Sequence, residues 1–238
     1  DNLATAGTQL NRSKEQLTNA EVSFKNGVVA KDTVMMARAG YANSEQNLFS
    51  AKKNLQLAKM SLNKQMGRDL TAPLNLTTKF VYKPEEAPEV EEMIEDALRL
   101  RPEAISLREM GEVTKLNEKM ALKYYAANAY VYQKAKVDAD KAQLGVKEAE
   151  ASVELAVRAA YLNFLETSEK LKSAELVKQA TAEAFRITEL KYKSQVSTTA
   201  QLLEASEKLY NVELLYTSCV FNYNVLHKSF HRCFLTVQ

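Results

Sequence analysis

His227 and His231 stand four residues apart near the end of the sequence, with Cys233 close by. On a helix that spacing puts both imidazoles on one face, where they could ligate a metal. A zinc hydrolase of this pattern carries a glutamate between its histidines, and none stands there. The pair reads as the end of a helix, and no metal is expected. Cys219 and Cys233 fall on the same helical pattern. At 1.5 Å per residue they lie about 21 Å apart, beyond disulfide reach. Both read as small hydrophobes on a helix stripe. Glu91 and Glu92 read as surface charge on a helix. There is no Gly-rich phosphate loop after a strand and no nucleophile elbow. The expectation is a protein that is not an enzyme and takes no cofactor.

Another set of residues interrupts two long helical patterns at corresponding places: Gly27, Val28, Ala30, Lys31 and Asp32, then Val196, Ser197, Thr198 and Thr199. Such breaks are either plain turns or the tips of helical hairpins, whose small side chains can abut another protein's helices end to end.

The elements that carry these tips follow from composition and period. The 238 residues are 46% hydrophobic and 26% charged, with 6 Gly, 4 Pro and no Trp. That is the make-up of long helices. A net charge of +2 gives no electrostatic case for nucleic acid. The chain starts at Asp1 without an apolar leader, which reads as a processed chain or a fragment. No stretch approaches the roughly 20 apolar residues of a membrane helix.

Leu3, Leu10, Leu17 and Phe24 recur every seven residues, with Ala6 and Ala20 between them. This predicts a first helix over 2–25 with a supercoiled seam. Gly27 ends it, and Asp32 or Thr33 can cap the next. Val34, Ala37, Tyr41, Ser44, Leu48, Ala51, Leu55, Ala58 and Leu62 step three and four, predicting a return helix over 33–66. Pro73, Pro84 and Pro88 make 67–90 irregular, with a weak strand pattern from Leu74 to Tyr82. A short helix over 89–100 follows, then another opened by Pro102. The segment NAYVYQKAK (128–136) is ambiguous. From about Val137 the pattern is helical to Lys193 and resumes after the second break.

The two hairpins align at an offset of 168 without a gap. Leu3 matches Leu171, Ala6 matches Ala174, Lys25 matches Lys193, Val28 matches Val196, Ala37 matches Ala205 and Asn54 matches Asn222. A register shared through two non-helical tips reads as internal duplication. The fold class is therefore all-α: two long antiparallel coiled-coil hairpins joined by a short irregular connector. The division is a first hairpin over 1–66, a connector over 67–136, a second hairpin over 137–232 and a tail over 233–238.

With the tips FKNGVVAKDTVMMA and LKYKSQVSTTAQLLEA, the segment LNKQMGRD and the stretch EDALRLRPEA in that order, the sequence resembles the TolC-like outer-membrane efflux channel family. The tips match that pattern at Phe24, Gly27, Asp32, Val34 and Ala37, and at Tyr192, Val196, Ser197, Leu202, Leu203 and Ala205. Gln195 stands where the second turn usually has Gly, so that tip is expected to be wider or differently shaped.

The resemblance implies a homotrimer whose hairpins form a passive α-helical tunnel in the periplasm. It also implies tips that meet a periplasmic adaptor and an inner-membrane pump. The membrane β-barrel segment is expected to be largely missing. NAYVYQKAK is too short for two spans of about 9–11 residues each, so this chain alone is not expected to insert. The alternative is a non-pore coiled-coil adaptor of the cell envelope; the lack of Gly-rich strand sets disfavours it.

Overall fold

The computed structural model describes residues 1–77 and 89–233, with side chains up to residue 228. Among the described residues there are six helices: α1 (Asn2–Lys25), α2 (Lys31–Gln65), α3 (Val90–Leu100), α4 (Pro102–Tyr124), α5 (Tyr130–Lys193) and α6 (Thr199–Cys233). Among the described residues there is no strand. Leu74–Thr77 is irregular, and the rest of the weak strand pattern lies outside the described residues. The ambiguous 128–136 segment resolves as helix from Tyr130. Beyond the turn, Gln133, Lys134, Ala135 and Lys136 favour helix and no Gly or Pro breaks it, which outweighs the poorer helix formers Tyr130, Val131 and Tyr132.

The described residues form two compact units. The first holds residues 1–77 and 170–221, which is the first hairpin beside the tip end of the second. The duplication is carried residue for residue. Adding 168 to the end of α1 gives the end of α5, and adding it to the start of α2 gives the start of α6.

The buried stripe of α1 differs from the leucine seam read in the sequence. Ala6, Gln9, Ser13, Gln16 and Ala20 are buried, while Leu3, Leu10 and Leu17 are half-buried and Phe24 is exposed. Small and polar residues let the neighbouring helices approach closely, and the leucines flank that contact. Ala20, Val34 and Ala37 form the hairpin's core with Leu17 against them.

Between hairpins the contacts are more polar. Ser206 Oγ donates to Gln9 Oε1 at 3.2 Å in a buried position. Arg12 donates both ends of its fork to Glu213, at 3.1 and 3.4 Å, and its guanidinium lies 5.5 Å from the Phe185 ring centroid. Gly40 faces Leu203 so closely that a Cβ would stand 3.3 Å from its Cδ2.

After α2, Gly67 at φ 67° reverses the chain. Buried Asn63 then pins the exit, its Nδ2 donating to Leu70 O at 3.2 Å and Ala72 O at 2.9 Å. Asp69 accepts from both the N–H and the hydroxyl of Thr71, which holds its carboxyl below the usual range. The LNKQMGRD segment is thus a folded helix exit.

The second unit holds residues 89–169 and 222–233. Pro102 occupies the first turn of α4. Met93, Ile94, Ala97 and Ala104 are buried around this α3–α4 corner, which accounts for the small residues of EDALRLRPEA. Gly111 lets α4 approach α5, since a Cβ there would stand 3.1 Å from Val146 Cγ2. Arg108 pairs with Glu150 at 3.0 Å, and Arg158 pairs with Glu91 at 3.5 Å. Buried Phe164 packs on Tyr223 and His227, at centroid distances of 5.6 and 6.1 Å.

Candidate functional site: the hairpin tips

Both hairpins end in the same hydrogen-bonded turn. At the first tip, Gly27 N–H donates to Phe24 O at 3.0 Å and Val28 N–H to Ser23 O at 2.9 Å. At the second, Gln195 N–H donates to Tyr192 O at 2.9 Å and Val196 N–H to Lys191 O at 2.8 Å. Each pair closes a helix C-terminus by satisfying two orphan carbonyls. The central residue takes a left-handed conformation in both, φ 72° at Gly27 and φ 59° at Gln195. The second tip is therefore not reshaped by its missing glycine. The surrounding helices impose the same turn, and Gln195 adopts a backbone conformation that costs an L-residue about 1–2 kcal/mol. Gln195→Gly is accordingly expected to stabilise the protein by about 1 kcal/mol, part of the strain relief being offset by a freer unfolded chain. A thermal melt that falls on this substitution would contradict the shared-turn reading.

The restarts differ. Thr198 caps α6 through a reciprocal pair. Its Oγ1 accepts from Gln201 N–H at 3.2 Å, and Gln201 Oε1 accepts from Thr198 N–H at 3.0 Å. Ser197 Oγ also donates to Gln201 Oε1 at 2.8 Å. Gln201 was overlooked in the sequence, although Thr-x-x-Gln before an apolar run is a legible capping signature. At the first tip the cap position is Ala30, which has no side-chain bond. Neither Asp32 nor Thr33 caps α2. Both lie inside its first turn, where Asp32 Oδ1 accepts from Thr33 N–H at 2.7 Å and its negative charge favours the helix N-terminus.

The predicted tip residues fall into two groups. Val28 and Val196 project, at 59% and 75% exposure, Lys31, Asp32 and Thr198 are exposed with them, and Ser197 is half-buried. Thr199 is buried, its hydroxyl donating to Tyr192 OH at 3.5 Å. Between the tips lies a groove of about 970 Å³, lined from the first hairpin by Val28, Val29 and Met36 and from the second by Tyr192, Gln195 and Ser197. Lys193 at its rim is held above its ordinary pKa by a 2.9 Å bond to Glu189.

The other candidate groups do not converge. His227 stacks on Tyr223 at 5.9 Å, and the side chains of His231 and Cys233 lie outside the described residues. Among the described residues no three His, Cys, Asp or Glu come together as a metal cluster. Cys219 is a free, half-buried thiol.

No family model and no curated protein matches the sequence. Solved structures do match. Against the outer membrane protein VceC of Vibrio cholerae the TM-score is 0.64 at 16% identity, covering 98% of this chain and 65% of that one. The chain has the outer-membrane channel fold. The Campylobacter jejuni CmeC outer membrane channel matches at TM-score 0.62 and 15% identity, over 98% of this chain and 60% of that one. The open state of the Neisseria gonorrhoeae MtrE outer membrane channel matches at 0.57 and 17%, over 98% and 63%. The chain thus spans under two thirds of the length of these channels. The outer-membrane channel fold accounts for the two hairpins, the α3–α4 corner and the position of the tips.

Proposed function

We propose that the chain is the helical part of a homotrimeric outer-membrane efflux channel subunit. It forms a passive periplasmic tunnel for export, coupled through a periplasmic adaptor to an inner-membrane transporter. The observation that carries this reading is the pair of congruent tips closing one compact unit, on helices that keep a second apolar stripe exposed. On α5 that stripe includes Leu176, Ile187 and Leu190, at 67%, 41% and 49% exposure. A lone chain gains nothing from exposing it, and further copies can cover it. The channel fold supports the same conclusion. Selectivity in such a conduit comes from width and lining charge, with residues 67–136 connecting the hairpins.

Light scattering in detergent-free buffer tests the assembly. Three times 26.7 kDa, about 80 kDa, is expected. A protein that stays at 26.7 kDa at all concentrations would speak for the non-pore coiled-coil alternative.

The tips are the proposed adaptor-docking surface: Gly27, Val28, Ala30, Lys31 and Asp32 with Val196, Ser197, Thr198 and Thr199. Asp32→Lys with Thr198→Asp, an acid that keeps the α6 cap, is expected to leave helicity and assembly intact. The pair should weaken adaptor binding at least about tenfold, as a like-charge or unpaired-charge contact would. Equal affinity in a pull-down titration would remove the tips from the interface.

A further inference from the structure

The two tips share a turn and differ in one chemical respect. Asn26 and Gly27 form the chain's single Asn–Gly pair, and 168 residues on the same places hold Ser194 and Gln195. Asparagine is chemically labile, most of all when glycine follows it. The next residue's backbone nitrogen attacks the carboxamide carbon and expels ammonia, and a side chain on that residue would hinder the approach. Gly27 has none, and the place a Cβ would take is open space. Both residues are exposed. Among the described residues nothing hydrogen-bonds the Asn26 carboxamide.

The fold exposes this pair and also restrains it. Asn26 is the C-cap of α1, at φ −84° and ψ 2°. Ring closure needs Gly27 N eclipsed with Asn26 Cβ about the Cα–C bond. At this ψ it is eclipsed with Asn26 N instead, a third of a turn away. Gly27 N–H is also committed to Phe24 O, and Val28 N–H to Ser23 O. The attack therefore waits until the turn opens and these two bonds break.

We propose that Asn26 is a deamidation site gated by opening of the first tip. In the opened turn Gly27 N, deprotonated, bonds to Asn26 Cγ. The Cγ–Nδ2 bond breaks, and the proton from Gly27 N departs on the leaving ammonia. Water then opens the ring. Addition at Cγ gives aspartate. Addition at the Asn26 backbone carbonyl carbon gives isoaspartate, whose main chain runs through Cβ and Cγ. Either product puts a carboxylate where the tip had a neutral amide. Isoaspartate also lengthens the main chain by one carbon, so the paired bonds that close α1 cannot both re-form. The second tip does not follow. Ser194 has no carboxamide, and Gln195 would have to close a larger ring on Val196. The residue that strains the second turn thus keeps it inert. None of this rests on the tunnel or docking reading.

Peptide mapping of the full-length protein after incubation in mildly alkaline buffer tests the site. An isoaspartyl methyltransferase with S-adenosylmethionine marks the isoaspartate. Asn26 is expected to convert first. Asn43, before Ser44 inside α2, and Asn128, before Ala129 in the α4–α5 turn, should lag behind it. In urea Asn26 should react about 30-fold faster, the weight of two backbone hydrogen bonds at their usual net value. Ser194→Asn with Gln195→Gly gives the second tip the same pair, which should react at the folded rate of the first. Asn26→Gln should abolish the first signal with helicity unchanged. Conversion elsewhere before Asn26, or equal rates in buffer and urea, would overturn the proposal. So would a second-tip pair that reacts at the urea rate or not at all.

Discussion

Leu171→Ala is expected to lower stability by about 3 kcal/mol, whereas Leu3→Ala, its counterpart one repeat earlier, should cost about 1 kcal/mol. The two leucines are interchangeable in the sequence, both on a seven-residue seam and both 168 residues from their match. In the structure Leu171 has 0% exposure, among the most enclosed large side chains, and Leu3 is half-buried. Truncating a fully enclosed leucine removes its transfer free energy and leaves a cavity. Truncating a half-buried one loses part of the first term, and solvent fills the space. For a chain of this size about 3 kcal/mol corresponds to a melting-point drop of roughly 6–12 °C. Thermal circular dichroism at one fixed concentration reads it. Equal losses at the two positions would show that further copies enclose Leu3 as fully as the chain itself encloses Leu171.

The contrast also marks what periodicity can and cannot convey. The steps of three and four from Val34 to Leu62 identified α2, because a helix with one covered side must repeat its apolar residues at that interval. The tips were legible for the complementary reason: Gly27 and the Lys193–Thr198 run break patterns that are otherwise continuous. Which stripe of α1 would be buried was not legible. Leucine marks a seam, but how closely the helices approach is set by the smallest residues, and Ala6, Ser13 and Ala20 draw the neighbours onto their side. The buried Gln9–Ser206 bond links positions 197 apart in sequence, and no local pattern encodes it. Gln195 misled for a similar reason. Its local preference opposes a left-handed turn, and the packing of both flanking helices overrides it. At the α4–α5 turn the tyrosines hid the helix start, since aromatic residues at alternate positions also suit a strand.

If the chain assembles as the proposed trimer, Leu176→Glu with Leu190→Glu should lower its mass from about 80 kDa to 26.7 kDa with an unchanged helical spectrum. Both leucines lie on the outer stripe of α5, and neither contributes to the chain's own buried core. Leu190 has its repeat counterpart in Val22, itself 52% exposed, so the stripe recurs on the first hairpin near its tip. Covering a leucine is worth about 1.5–3 kcal/mol. Leu176 and Leu190 are 67% and 49% exposed, so only part of that is gained at each, together about 2–3 kcal/mol or roughly one to two orders of magnitude in Kd. Glutamate adds the cost of removing a charge from water, so the substitution acts well beyond the loss of two contacts. Within a single chain the same carboxylates stay hydrated on a helix surface, where glutamate is a good helix former. Loss of mass with loss of helicity would mean that the stripe packs inside the chain. Retention of about 80 kDa would place the contacts between copies on the opposite face, leaving the Leu176–Leu190 stripe to face the lumen, where an apolar lining suits apolar cargo.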